Sequence, residues 1–156
     1  MATSTVPAFL DALKAALDAR NIAATGGGTI AVTTAASGEP VPPECIQLFR
    51  TTADQQWTLL GNRRRREQYT VYGGIYAQIA GYGEPTAKAA RDRAYALLAE
   101  LEQTLRADPS VGGSVRQAEL LTAELDQGIT RGGDDEGARF ATLAFSIGVV
   151  HELVID

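Results

Sequence analysis

Cysteine, histidine, methionine and tryptophan each occur once in this 156-residue chain. With Cys45 alone, no disulfide forms within the chain and no thiolate cluster holds a metal. With His151 alone, imidazole chemistry would need a partner brought in from elsewhere; a lone histidine is by default a surface residue. The spacings HExxH and CxxC are absent, which sets zinc aside. No apolar run approaches the roughly 20 residues of a membrane-spanning helix. The first residues lack the basic segment and apolar core of an export signal, so the expected place of folding is the cytoplasm. Positive charge is also short: the net charge is −5 and the pI near 4.9. Such a chain has no global attraction for nucleic acid phosphates or anionic lipid.

What remains is an ordinary globular composition, 45% hydrophobic and 21% charged, long enough for one domain over residues 1–156 with a sizeable core. The best-marked stretch is 84–113. Pro85 suits a first helical turn, where its missing N–H has no partner to lose. Ala, Leu, Glu and Arg fill the interior. Ala90, Ala94, Leu97, Leu101 and Leu105 recur at three- and four-residue steps and make one apolar stripe. Arg91, Arg93, Glu100, Glu102 and Arg106 fall mostly on the other side. Pro109 and the Gly112-Gly113 pair end the helix.

Upstream, Ser4 or Thr5 caps a first helix with Pro7 in its opening turn and Phe9, Leu10, Leu13 and Leu17 on its apolar face. Residues 29–34 and 45–49 read as short strands separated by a proline-rich loop at 35–43. Residues 51–62 show no clear period. Residues 68–79 alternate: Tyr69, Val71, Ile75, Ala77 and Ile79 share one face, and Thr70, Tyr72, Tyr76 and Gln78 the other. Gly73 and Gly74 mark a bulge or bend within that strand. Residues 117–125 have helical propensity, yet Val115, Leu121, Ala123 and Leu125 fit one face of a strand, and strand is the preferred reading. Residues 127–137 read as a mobile polar loop. Residues 140–150 form the clearest strand, with Leu143, Phe145, Ile147 and Val149 on one side. The expected fold is α+β: a single, mainly antiparallel sheet with the long helix and the N-terminal helix packed on one face. The other face, with Tyr72, Tyr76, Thr142 and Ser146, is left wet or used as a contact surface.

Candidate chemistry is sparse. The glycines at 26–28 lack the lysine and hydroxyl of a phosphate loop and precede a strand, so they read as a turn. Asp134, Asp135 and Glu136 lack the spaced oxygen ligands of a calcium loop and read as a solvated acidic segment. A Cys45–His151 pair would need the two side chains within hydrogen-bond reach. The four consecutive arginines, Arg63, Arg64, Arg65 and Arg66, are harder to treat as filler. Three readings stay open: ion pairing with carboxylates such as Glu67 or those of a neighbouring subunit, phosphate binding with Tyr69, Tyr72, Tyr76 and Tyr82 as stacking partners, or a solvated loop. No cofactor and no metal is expected.

Trp57, Leu60-Gly61, the RRRRE run at 63–67 and the alternating strand after it, together with ARDRAYALLAELEQTLRADPSVGG at 90–113 and the closing strand at 139–149, resemble the tail terminator proteins of long-tailed bacteriophages. The resemblance covers most of the chain from Glu44 onward. It implies a structural virion protein and not an enzyme. The expected assembly is a hexameric ring on the head-proximal end of the tail tube, either preformed or closing from monomers only there. The ring ends tube polymerisation, meets the tail tube protein and a head–tail connector or stopper protein, and lets genomic DNA pass without sequence-specific binding. The expected location is the virion, at the head–tail junction, after assembly in the host cytoplasm and without a membrane. Expected subunit or partner contacts are Arg63, Arg64, Arg65, Arg66, Tyr72, Tyr76, Asp134, Asp135 and Glu136. Alternatives are another head–tail connector component and a small nucleic-acid-binding module centred on the arginines.

Overall fold

The computed structural model describes residues 4–35, 41–57, 64–130 and 137–154. Two helices, α1 (Val6–Ala19) and α2 (Glu84–Ala107), accompany five strands. These are β1 (Ala31–Thr33), β2 (Glu44–Trp57), β3 (Arg64–Ala80), β4 (Gln117–Thr130) and β5 (Ala138–Val154). They form one sheet in the order β1-β2-β3-β5-β4, antiparallel throughout except for the short β1, which runs parallel to β2. The α+β arrangement expected from the sequence is the one observed.

Alternation in β3 and β5 decides which face is covered. Tyr69, Val71, Ile75 and Ala77 of β3 stand directly across from Val149, Ile147, Leu143 and Ala141 of β5. All eight are buried, because α2 lies on this face. The helix contributes Ala90, Ala94, Leu97, Leu101 and Leu105, each at most 2% exposed. Burying one such leucine contributes about 2 kcal/mol. α1 packs against α2 and β1 and adds Phe9, Leu13 and Leu17 to the same core.

The turn after α2 is tightly held. The Asp108 carboxylate accepts bonds from the Ser110 N–H (3.0 Å), the Ser110 hydroxyl (2.6 Å) and the Gly112 N–H (2.6 Å). Val111, Gly112 and Gly113 all have positive φ, which glycine adopts freely and valine only at a cost of about 1–2 kcal/mol. Val111 is 3% exposed, so the conformation is the one that puts its side chain into the core. The chain thereby reverses into β4, where the Ala118 N–H bonds the Pro109 carbonyl at 2.8 Å.

Several expectations are corrected. β2 runs on to Trp57 rather than stopping near Phe49. Its second half has no apolar alternation to announce it, and residues 52–56 are exposed. The irregularity expected at Gly73-Gly74 lies instead in β2, between Leu48 and Arg50, while β3 keeps an unbroken register with β5. Gly73 is there for close approach: a Cβ would overlap the Phe145 ring and the Gln47 carbonyl oxygen. β4 is a strand and extends to Thr130, into the segment read as a loop. A register shift between Leu120 and Thr122 breaks the expected face. Ala118, Leu120, Ala123 and Leu125 share a side, and Leu121 turns to the other, 52% exposed over Gly148. Of the 127–137 segment, residues 127–130 belong to β4 and Gly137 precedes β5; residues 131–136 lie outside the described residues, as do 36–40 of the proline-rich loop.

Candidate assembly surface

The arginine run opens β3. Arg63 lies outside the described residues, and Arg64 occupies the strand opposite Val154. Strand alternation then divides the rest. Arg65 is on the helix side, level with Leu153; Arg66, exposed, is on the outer side, level with Glu152 and Gln56. The strand therefore sends Arg65 and Arg66 to opposite faces, which is not how a continuous phosphate-binding patch is built. Glu152 is already engaged by Arg116 at 2.7 Å.

Glu67, a suggested partner for those arginines, does something else. Its side chain shares the parity of Tyr69 and Val71, and the residue is fully buried. It accepts bonds from the Thr5 N–H (2.9 Å), the Thr5 hydroxyl (2.8 Å), Gln55 Nε2 (3.2 Å) and the Ser4 hydroxyl. The carboxylate thus sits at the positive end of α1, where peptide dipoles and free N–H groups favour an anion. Thr5, the residue before the helix, makes no side-chain cap of its own, because its hydroxyl is turned to Glu67. Burial alone pushes the Glu67 carboxyl up, but the four donors outweigh it and hold it below the ordinary carboxylate value. Tyr69 is buried beside it with its hydroxyl 3.2 Å from Thr5 Oγ1. Desolvation foremost, with the Glu67 charge adding, pushes its phenol up to about 12. A buried ring is not available for base stacking, so Tyr69 leaves that set.

Glu44, at the other end of the covered face, is the second buried carboxylate. It shares the parity of Ile46 and Leu48 and is 5% exposed. Arg93 grips it with Nε and Nη2, each at 3.1 Å, and also bonds the Ala23 carbonyl. Thr25 adds its N–H at 2.9 Å and its hydroxyl. This one cluster ties α2, β2 and the 23–29 turn together. Burial again raises the carboxyl, and Arg93 and Thr25 lower it by more.

The outer face carries the predicted tyrosines. Tyr72 is 38% exposed, with the Arg50 guanidinium 5.5 Å from its ring centre. Tyr76 stacks on Phe140 at 5.8 Å and donates its hydroxyl hydrogen bond to Gln78 Oε1 at 3.0 Å. Burial pushes its phenol up, with Cys45 adding a smaller push. Phe49 and Leu121, both 52% exposed, extend the apolar part of this surface, and an open trough crosses β2, β3, β5 and β4 through Thr52, Gln68, Tyr72, Leu121 and Val150. Tyr72, Tyr76 and Arg66 share this face, but Arg66 stands six residues from Tyr72, about 20 Å along β3. Asp134, Asp135 and Glu136 lie outside the described residues.

Cys45 and His151 are not brought together. Cys45 is level with Tyr76, and His151 with Glu67. Nine strand residues at about 3.3 Å each put roughly 30 Å between them, on opposite faces. Cys45 is buried, and desolvation pushes its thiol up. Among the described residues no three His, Cys, Asp or Glu side chains cluster as metal ligands, and no helix is long and apolar enough to cross a membrane.

The sequence signals for the two buried carboxylates were present. Extending the alternation of β3 back by one step places Glu67 on the core side, and the same step places Glu44 beside Ile46. Arg93 lies three residues past Ala90, on the flank of the apolar stripe. No protein-family model matches the chain, and no curated protein matches it.

Proposed function

We propose that the chain is a structural subunit of the tail-terminator type. It acts as a ring on the head-proximal end of a phage tail tube, stops tube growth and presents a surface to head-completion proteins. The observation that carries the reading is the segment bearing the resemblance. Residues 90–113 form the buried stripe of α2 and the Asp108-held turn that delivers the chain into edge strand β4. The residues in that segment shape a scaffold. The two buried carboxylates, Glu44 and Glu67, are both used to fasten helices and turns to the sheet. What is left outward-facing is a wide sheet surface with exposed aromatic and aliphatic side chains, the kind of patch that marks a protein contact.

The test is deletion of the gene from the phage or prophage that carries it, with electron microscopy of the particles. Overlong tails, or tails unjoined to heads, are expected. Normal virions with tails of unchanged length would contradict the proposal.

A further inference from the structure

Among the described residues, both borders of the sheet lack a partner strand over long stretches. β4 is the outermost strand on one side. Beyond Ala118, whose N–H is taken by Pro109, no strand among the described residues pairs with its outer side. On the other side, β1 covers β2 only at Cys45, Ile46 and Gln47. From Leu48 to Asp54 the outer side of β2 pairs with no other strand among the described residues. Unpaired strand borders present rows of N–H and C=O groups, and proteins that do not use them shorten, bend or cover them. Here both open segments are long.

The directions match. β4 runs antiparallel to β5, β5 to β3, and β3 to β2, so β4 is antiparallel to β2. A copy of the chain shifted sideways in the plane of the sheet would bring its β4 against this β2 in the more favourable antiparallel sense. The charges also select. β4 exposes Glu119, Glu124 and Asp126, with no ion-pair partner among the described residues. Two β4 borders would repel each other, since like charges on facing strands are destabilising. The β2 border offers Arg50, whose guanidinium lies over Tyr72, and Arg66 stands one strand further in. Asp54 offsets part of this attraction, leaving Arg50 as the residue that meets the carboxylates.

We propose that the β4 border of one copy adds to the open half of β2 of the next copy, so that the sheet continues from subunit to subunit. Such a contact joins two different patches, and repetition of it closes a ring or extends a filament according to its rotation. The role of that contact at a tube end rests on the proposed function above; the contact itself is tested separately.

Sedimentation of the full chain over a range of concentrations is compared for the wild type, Arg50→Glu, the β4 variant Glu124→Arg with Asp126→Arg, and the combination of all three. The wild type should form species larger than a dimer. Each reversed border should weaken association roughly fivefold to tenfold, and the combination should recover it, with thermal unfolding unchanged in all four. In a Cys45→Ser background, Arg50→Cys is paired in turn with Thr122→Cys, Glu124→Cys and Asp126→Cys. At least one pairing should give a ladder of disulfide-linked oligomers under oxidation, where either cysteine alone stops at a dimer. Oligomers that ignore every charge reversal and yield no ladder would overturn the border contact while leaving a ring built by other surfaces. A chain that stays monomeric at every concentration and yields no ladder would overturn it as well. Normal tails after gene deletion would overturn the function without touching the contact.

Discussion

On the side of β5 under the helices stand Ala141, Leu143, Phe145, Ile147 and Val149, none more than 2% exposed. On the opposite side of the same strand stand Thr142, Ala144, Gly148 and Val150, all wholly or partly exposed, with Ser146 bonded to Thr122 at 2.6 Å. One stretch of chain therefore serves two ends. The covered side is filled by large apolar groups and by two carboxylates held by donors. The open side is small, flat and mixed in polarity, with Phe49, Tyr72 and Leu121 as its exposed large groups near the β2 and β4 borders. The difference teaches where stability resides and where it does not: the covered side supplies it, and the open side is free to be shaped for contacts.

The sharpest way to break this comparison is at the centre of the stripe. Leu101→Ala should cost about 2–5 kcal/mol, the lost transfer energy plus the cavity left behind, measured by denaturant unfolding. A cost under 1 kcal/mol would mean that α2 is not seated as described.

Next in size is Glu67. Glu67→Ala removes four accepted bonds and strands the Thr5 and Ser4 donors at the start of α1, which should cost about 1–3 kcal/mol. The pH dependence has a definite sign. Glu44 and Glu67 both have folded-state values lowered from the ordinary glutamate value. Their contribution is fully present above that ordinary value and is lost as pH falls through the lowered, folded values. Thermal unfolding followed from neutral to acid pH should show this loss, and Glu67→Gln should flatten part of it. An acid profile identical in the variant and the wild type would contradict the role given to Glu67.

The smallest expected effect is on the open side. Leu121→Ser should change the unfolding free energy by no more than about 0.5 kcal/mol, the usual range for an exposed position away from caps and the core. A loss as large as that of Leu101→Ala would erase the distinction between the two faces.

How far the sequence alone reaches follows the same division. The faces of β3 and β5 and the stripe of α2 were legible because burial on one side writes a period of two or 3.6 residues into the chain. The second half of β2 was not legible: between Arg50 and Gln56 every residue but Ala53 is polar, so no period marks it, and the register shift at Phe49 changes which residues face the core. In β4, one extra residue at Leu121 reverses the parity, and the strand reading survives while its face assignment does not. The contact candidates fared unevenly for a related reason. Tyr72 and Tyr76 fall on the open face as expected, whereas Arg65 and Arg66 are divided between faces by the strand that carries them. Adjacency in sequence groups Glu67 with the arginines, but its parity ties it to Thr5, 62 residues away.

The most direct measurement of the central claim is the length distribution of tail tubes assembled from the tube protein of the same phage as the purified chain is titrated in. The account predicts that mean tube length falls and then reaches a plateau, with labelled chain at one end of each tube. Unchanged lengths at saturating chain, or label spread along the tube walls, would contradict it.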